Sequence, residues 1–169
     1  MKKVVLAIAV VFALAMTQNI FAQQVPVTAN INAKGTVITH ITVTSTSDLD
    51  FGEDLIAGIA TTVDKTASNA GKFVLAGQRN RQMNIAFTLP SNLLNGAYTM
   101  PISFTSTDAG FKTSGSQITA FNPASGTNAS FGSDGAMEVY LGGKVTPSQT
   151  QEAGQYTAPI TITLQYTTN

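Results

Sequence analysis

Four carboxylates fall within seven residues in the segment Asp48–Asp54, which reads Asp-Leu-Asp-Phe-Gly-Glu-Asp. Carboxylate oxygens at this density are ligands that Ca²⁺ prefers. The spacing departs from an EF-hand loop, because Gly52 stands where the fifth position needs an oxygen ligand and Ile59 stands where the twelfth needs a bidentate Glu. Two interpretations stay open: a calcium site, or the end of a strand with Phe51 buried and the acids in solvent.

A second candidate group combines two guanidinium groups with three aromatic rings. Arg79 and Arg81 are separated by one residue, and paired guanidinium groups can hold a sugar carboxylate or a phosphate. Phe111, Phe121 and Phe131 lie in an irregular region rich in Gly, Ser and Thr. The five residues are candidate ligand-loop residues; solvated arginines and rings that plug the ends of a folded domain are the alternative.

Most catalytic signatures are absent from the sequence. His40 is the single imidazole, and its alternation with Ile41 and Val43 indicates a solvent-facing strand residue more than a general base. The chain has no Cys, which excludes disulfides, thiolate metal ligands and a Cys nucleophile. It has neither a Gly-x-Ser-x-Gly elbow nor a Gly-rich phosphate loop. We therefore predict a protein that is not an enzyme and needs no cofactor.

Charge is scarce and balanced. The 169 residues include 9 basic and 9 acidic side chains, and charged residues make up 11% of the chain, compared with about 25% in ordinary soluble domains. This balance offers no broad basic field for nucleic acid or anionic lipid. We expect no nucleic-acid partner.

The N-terminus has the parts of a secretory signal. Two lysines precede Val4–Met16, an apolar run of 13 residues. A bilayer-spanning helix needs about 20 residues, whereas the core of a signal peptide needs roughly 7–15. Ala22 supplies a small residue at the expected cleavage site. We predict a signal peptide over residues 1–22, a single domain over residues 23–169, and an extracytoplasmic location (periplasm, cell surface or secreted) with no direct membrane anchor.

Apolar residues recur at every second position after the predicted cleavage site, which is typical of antiparallel strands with one buried face. The alternating runs cover residues 25–33, 37–43, 83–89, 98–104, 139–145 and 160–166. Turn-forming residues separate them, and residues 105–135 read as long loops with one or two short strands. The pattern predicts an all-β, antiparallel β-sandwich. Its predicted core includes Phe51, Val74, Ile85, Phe87, Ile102, Phe104, Leu141, Ile162 and Leu164.

Three sequence blocks occur in an order that resembles a known family. They are Leu49-Asp50-Phe51-Gly52, the strand-rich stretch 73–104, and the stretch 140–166 that ends in Ile-Thr-Ile-Thr-Leu-Gln-Tyr. Over residues 37–166 the chain resembles the bacterial secreted family known as domain of unknown function 4402, itself similar to Mat/Ecp fimbrial subunits and spore coat U pilin-like domains. The resemblance implies an immunoglobulin-like, pilin-like sandwich and a subunit of a surface fibre, and it brings no catalytic residues.

Two hypotheses for function follow. The first is a structural or adhesive subunit of a bacterial surface fibre, whose partners are further copies, other fibre subunits or a periplasmic chaperone. Residues 23–33 would then be a donor strand with Val25, Val27, Ala29 and Ile31 on its apolar face; the same residues could instead form the first strand of their own domain. The alternative is a monomeric secreted binding module for carbohydrate or another surface ligand.

Overall fold

The computed structural model describes residues 31–35, 37 and 40–167, and contacts divide the chain into two units, 1–36 and 37–169. Within the first unit the described residues 31–35 are exposed and form no strand. The predicted signal peptide and the candidate positions Val25, Val27 and Ala29 lie outside the described residues.

Twelve strands and no helix are found among the described residues of the second unit. The strands are β1 (Thr42–Ser47), β2 (Thr61–Val63), β3 (Gly71–Ala76), β4 (Gln82–Thr88), β5 (Asn92–Asn95), β6 (Tyr98–Ser103), β7 (Ala109–Lys112), β8 (Thr119–Phe121), β9 (Thr127–Ser130), β10 (Ala136–Leu141), β11 (Gly143–Val145) and β12 (Thr161–Tyr166). Every named pairing is antiparallel. The predicted all-β, antiparallel class is confirmed.

The strands form three sheets. A five-stranded sheet has the order β1-β3-β10-β7-β8, a three-stranded sheet has the order β12-β4-β9, and a four-stranded sheet has the order β2-β11-β6-β5. Strands β10 and β11 follow one another directly but belong to different sheets, so the chain passes from the five-stranded to the four-stranded sheet at the residue between them, Gly142.

The main core contains residues of both the five-stranded and the three-stranded sheets. Leu75 and Val139 from the first sheet and Met83 and Ile85 from the second are fully buried in one cluster. Alternation produces this result, because every second residue of a strand points to the same face. Each such side chain contributes about 1.5–3 kcal/mol through its removal from water.

A second, smaller core belongs to the four-stranded sheet. Met100, Ile102 and Val145 are buried there, and Phe104 packs against both cores. Gly142, between β10 and β11, lets the backbone of this connection lie against the backbone of residues 63–65. A Cβ at Gly142 would collide with the carbonyl oxygen of Val63 and the amide nitrogen of Lys65, so any side chain would displace backbone.

Three details of the sequence-based interpretation are wrong. Val74 was predicted in the core but is 37% exposed, because Leu75 occupies the inward position and its neighbour must point outward. Within the run over residues 37–43, the described residues Val37, His40 and Ile41 lie outside any strand, β1 begins at Thr42, and Val37 is exposed. Residues 105–135 contain three strands, β7, β8 and β9, and their three to four residues are too few for alternation to stand out.

Candidate functional site

An open groove with an apolar floor lies between residues 45–57 and residues 147–160. Its volume is about 1160 Å³. Five apolar side chains from four strands of two sheets line it: Phe73, Leu93, Met100, Ile102 and Leu141. Phe51, Leu55 and Tyr156 border the same groove and pack against the smaller core. Met100, Ile102 and Leu141 are buried beneath this lining, whereas Leu55, Phe73 and Leu93 are half-buried, so part of the apolar lining is in contact with solvent.

The rim of this groove is acidic. Asp48, Asp50, Glu53 and Glu152 line it, and the described residues of its lining include neither Lys nor Arg. A rim of this kind favours a partner that carries positive charge and disfavours an acidic one.

The acidic segment is held by hydrogen bonds of its own. An oxygen of the Asp50 carboxylate accepts the backbone N–H of Gly52 at 2.8 Å, and Gly52 has a φ of 90°. The backbone N–H of Asp50 donates to the carbonyl of Asn69 at 2.9 Å, while the Asn69 side-chain amide donates to the carbonyl of Asp50 at 2.6 Å. In the described part of the chain no three Asp, Glu or His side chains gather as a metal-binding group. The carboxylates are thus spread along a rim and do not converge.

Two strands beside the groove have an unpaired edge. Strand β1 pairs only with β3, and β12 pairs only with β4, within the part of the chain that the structure describes. Val43 stands opposite the buried Leu75 in the register, and residues directly opposite one another share a face. Val43 therefore points inward, yet it is 46% exposed, and Ser45 and Ser47 line the groove. Among the described residues, the inner face of β1 is therefore only partly covered at Val43.

The candidate arginines lie away from this groove. Arg79 is exposed, whereas Arg81 is half-buried and donates from Nη2 to the carbonyl oxygen of Thr167 at 3.3 Å. Arg81 Nε is buried without a hydrogen-bond partner. The backbone N–H of Gln78 donates to the hydroxyl oxygen of Tyr166 at 2.6 Å. These contacts tie the 78–81 loop to the end of β12 and leave one guanidinium group, that of Arg79, open to solvent.

The candidate phenylalanines are mostly interior. Phe121 and Phe131 are buried in the main core, and Phe111 is half-buried against it. The rings of Phe111 and Phe121 have centroids 6.1 Å apart, and the ring of Phe131 meets that of Tyr166 at 6.2 Å. Phe121 and Phe131 are therefore not accessible to stack on a sugar, and Phe111 is the one of the three rings that is partly exposed.

His40 and Ile31 are the other sequence-derived candidates among the described residues. His40 is exposed and lies two residues before β1. Ile31 is 95% exposed. The side chain of Ile31 is thus almost entirely in contact with solvent. Such exposure agrees with the predicted donor strand, whose apolar face would be buried only in a neighbouring subunit.

An ionic network that the sequence did not predict crosses three strands. The Glu138 carboxylate on β10 pairs with Lys72 Nζ of β3 at 2.7 Å and with Lys112 Nζ of β7 at 3.0 Å. The hydroxyl of Tyr140 donates to the same carboxylate at 2.5 Å. The hydrogen bond from Lys72, followed by that from Tyr140, lowers the pKa of Glu138 to about 2. The only sequence signal was three charged residues, Lys72, Lys112 and Glu138, in strands that are otherwise uncharged.

Comparison with known proteins gives one family. The sequence profile described as Domain of unknown function (DUF4402) matches residues 41–166. No curated protein matches the chain. A search of the described residues found no helix that is long and apolar enough to cross a membrane.

Proposed function

The chain belongs to the DUF4402 family, and from this premise we propose that it is a non-enzymatic, extracytoplasmic subunit of a bacterial surface fibre, structural or adhesive in role. The matched range begins one residue before β1 and ends with the last residue of β12. The family domain therefore contains all twelve described strands.

The character of the edge strands carries the proposal. The six strands that end the three sheets are β1, β8, β12, β9, β2 and β5, and none contains a charged residue or a proline. The charged residues of the described strands, Lys72, Lys112, Glu138 and Lys144, all lie on interior strands. Soluble monomers usually place lysine or proline at sheet edges to prevent edge-to-edge pairing. Strand β12 is the edge that best suits assembly, because it is six residues long and has no such protection, whereas β2, β5, β8 and β9 have only three or four residues and β1 has a register shift between Ser45 and Ser47.

The fold that we propose in detail is an immunoglobulin-like, pilin-like sandwich. Its structural support is the shared core of two antiparallel sheets; the similarity to Mat/Ecp fimbrial subunits and spore coat U pilin-like domains is part of the proposal. Fold alone does not fix function. The proposal that the chain is a fibre subunit therefore rests on the edge strands and on the predicted signal peptide.

The remaining elements of the proposal follow from export and assembly. Residues 1–22 act as a signal peptide, and the mature chain begins at Gln23 with an uncharged segment of alternating apolar residues. That segment adds as a donor strand to a neighbouring subunit, a head-to-tail contact that propagates into a filament. Uncharged edges need protection before assembly, so a periplasmic chaperone is a proposed partner.

Electron microscopy of the native cell surface tests the proposal. Cells that express the full-length chain should show filaments, and cells that express a chain lacking residues 23–33 should show none while still exporting a folded protein. Loss of the whole gene without any change in surface fibres would contradict the proposal. A mature chain that stays monomeric at high concentration and binds a glycan would instead support the carbohydrate-binding alternative, for which Arg79 is the exposed candidate.

A further inference from the structure

We propose that the groove between residues 45–57 and 147–160 is the site that receives residues 23–35 of a second copy of the chain. This inference rests on the proposed fibre function and assigns the surface through which it works. The occupant is an extended segment with its apolar face on the groove floor.

The floor of the groove is chemically matched to such a segment. Leu55, Phe73 and Leu93 line it and are only half-buried, so they still lose contact with water when the groove is covered. The segment presents Val25, Val27, Ala29, Ile31 and Ala33 at every second position. In an extended chain these residues lie on one face.

The exposure of the segment's described end agrees with an occupant that comes from another copy. Ile31 is almost fully exposed, and residues 31–35 form no strand. The apolar side chains that a neighbour's groove would bury are therefore open to solvent where the structure describes them. Thirteen extended residues span roughly 43 Å, about twice the length of a six-residue strand. The segment is long enough to line a groove and still leave residues as a connection.

Opposite charges favour binding of this segment to the groove. Within residues 23–35 the single charged side chain is Lys34. The described lining of the groove carries four carboxylates and no basic side chain. The segment thus brings the sign of charge that the rim favours, and a neutral or acidic peptide of equal hydrophobicity would bind less well.

Cysteine cross-linking of the full mature chain tests the assignment directly, because the natural chain has no Cys. Chains carrying Ile31→Cys are mixed with chains carrying either Leu93→Cys or Leu55→Cys on the groove. The matched controls are the next residues, Leu94→Cys and Ile56→Cys, which are 52% and 61% exposed but do not line the groove. Any heterodimeric disulfide is then intermolecular, and its formation requires close approach.

We expect the groove positions to cross-link to position 31 at least tenfold more than their neighbours. Equal cross-linking at groove and control positions, in preparations that still form filaments, would overturn the groove assignment and leave the fibre function standing. Absence of both filaments and heterodimers would overturn both. A chain with Ile31→Cys and Leu93→Cys together that closes on itself in dilute solution would show occupation by its own segment and overturn the second-copy occupant.

Charge reversal supplies an independent measurement. Lys34→Glu should weaken association of the mature chain several-fold at low ionic strength in sedimentation velocity, and Glu152→Lys in the partner should restore it. The difference should shrink in 0.5 M salt. Lack of rescue, with both variants folded by circular dichroism, would contradict the role of the acidic rim.

Discussion

Glu138 shows how much a single side chain can depend on strand register. Its carboxylate meets Lys72 and Lys112 because β10 lies between β3 and β7, with Glu138 opposite Lys112 and two residues from the Tyr140–Lys72 pair, on the same face of the sheet. Both ammonium groups also lie about 5.5 Å from the centre of the Tyr140 ring. The contacts raise the pKa of Lys72, chiefly through its hydrogen bond to Glu138. The network acts as a clamp across the outer face of three strands.

The first prediction concerns the acid sensitivity of this clamp. The pKa of Glu138 is lowered from 4.5 to about 2, so its contribution to stability is complete above about pH 4.5 and is lost as the pH falls through about 2. After allowance for solvent screening, Glu138→Gln should cost roughly 1 kcal/mol at pH 7. Urea unfolding at pH 7 and pH 2 should show a much smaller difference between variant and natural chain at the lower pH. Asp54→Asn, at an exposed position, is the control, and an equal effect there would refute the clamp.

The second prediction concerns Gly142. A side chain there meets backbone atoms of residues 63–65 rather than the flexible end of another side chain. Gly142→Ala should therefore destabilise the protein by about 1–3 kcal/mol, as other overpacked substitutions do, and lower the melting temperature by several degrees. Gly35→Ala is the matched control, because a Cβ there has no atom within 4 Å. Thermal unfolding followed by circular dichroism distinguishes the two, and an unchanged melting temperature for Gly142→Ala would show that β2 can move aside.

At the scale of elements, alternation predicted four of the six described strands of six or seven residues, β4, β6, β10 and β12, and missed most of the shorter ones. The runs at 83–89 and 139–145 became strands with Met83, Ile85, Val139 and Leu141 buried, because six or seven residues give the period-two signal several repeats. A run of consecutive apolar residues, as at 73–76, does not say which residue points inward. There the register with β10 decides the face, and register depends on contacts far along the chain.

The third prediction tests the corrected face of β3. Leu75→Ala should cost about 2–5 kcal/mol, because it leaves a cavity in the main core. Val74→Ala should change the free energy of unfolding by less than about 0.5 kcal/mol, because Val74 lies on the outer face. Denaturant unfolding of both variants provides the comparison. Similar losses at the two neighbouring positions would mean that the assignment of inner and outer faces is wrong.

The groove could not have been derived from the sequence. Its lining comes from segments about one hundred residues apart, 45–57 and 147–160, and from β3, β5, β6 and β10. Composition did indicate the acidic residues of one wall, but only the fold places Glu152 on the same rim as Asp48. The converse also holds: Phe121 and Phe131 looked available in a glycine-rich region, and packing against the main core removed them from the surface.

At the scale of the whole molecule, the fourth prediction concerns export. If residues 1–22 are a signal peptide, the intact mass of the exported protein should correspond to a chain that begins at Gln23, with or without cyclisation of that glutamine. The reason is the short apolar run that ends before Ala22. Mass spectrometry of periplasmic, surface and culture fractions measures it. Recovery of the full-length mass from these fractions would contradict cleavage.

The fifth prediction concerns the role of the N-terminal segment, residues 23–35, in filament formation. Asp placed at Val27 and Ile31 puts two carboxylates on the apolar face that the fibre proposal requires to be buried, and burying unpaired charge is costly. The doubly substituted mature chain should remain folded but lose filament formation, and a supplied peptide of residues 23–35 should bind to it without extending it.

Thr28→Asp with Asn30→Asp is the matched control for that variant, because it adds the same charge to the opposite, polar face of an extended segment. In 0.5 M salt, which screens repulsion between the added carboxylates and the acidic rim of the groove, filaments should persist in the control, because its carboxylates can stay in water while Val27 and Ile31 are covered. Electron microscopy and sedimentation velocity at a series of concentrations compare the two. If both variants polymerise alike, the segment is not the joint between subunits. If the variant at Val27 and Ile31 unfolds while the control does not, the segment is instead a strand of its own domain, and the edges of β1 and β12, unpaired among the described residues, would have to associate by themselves.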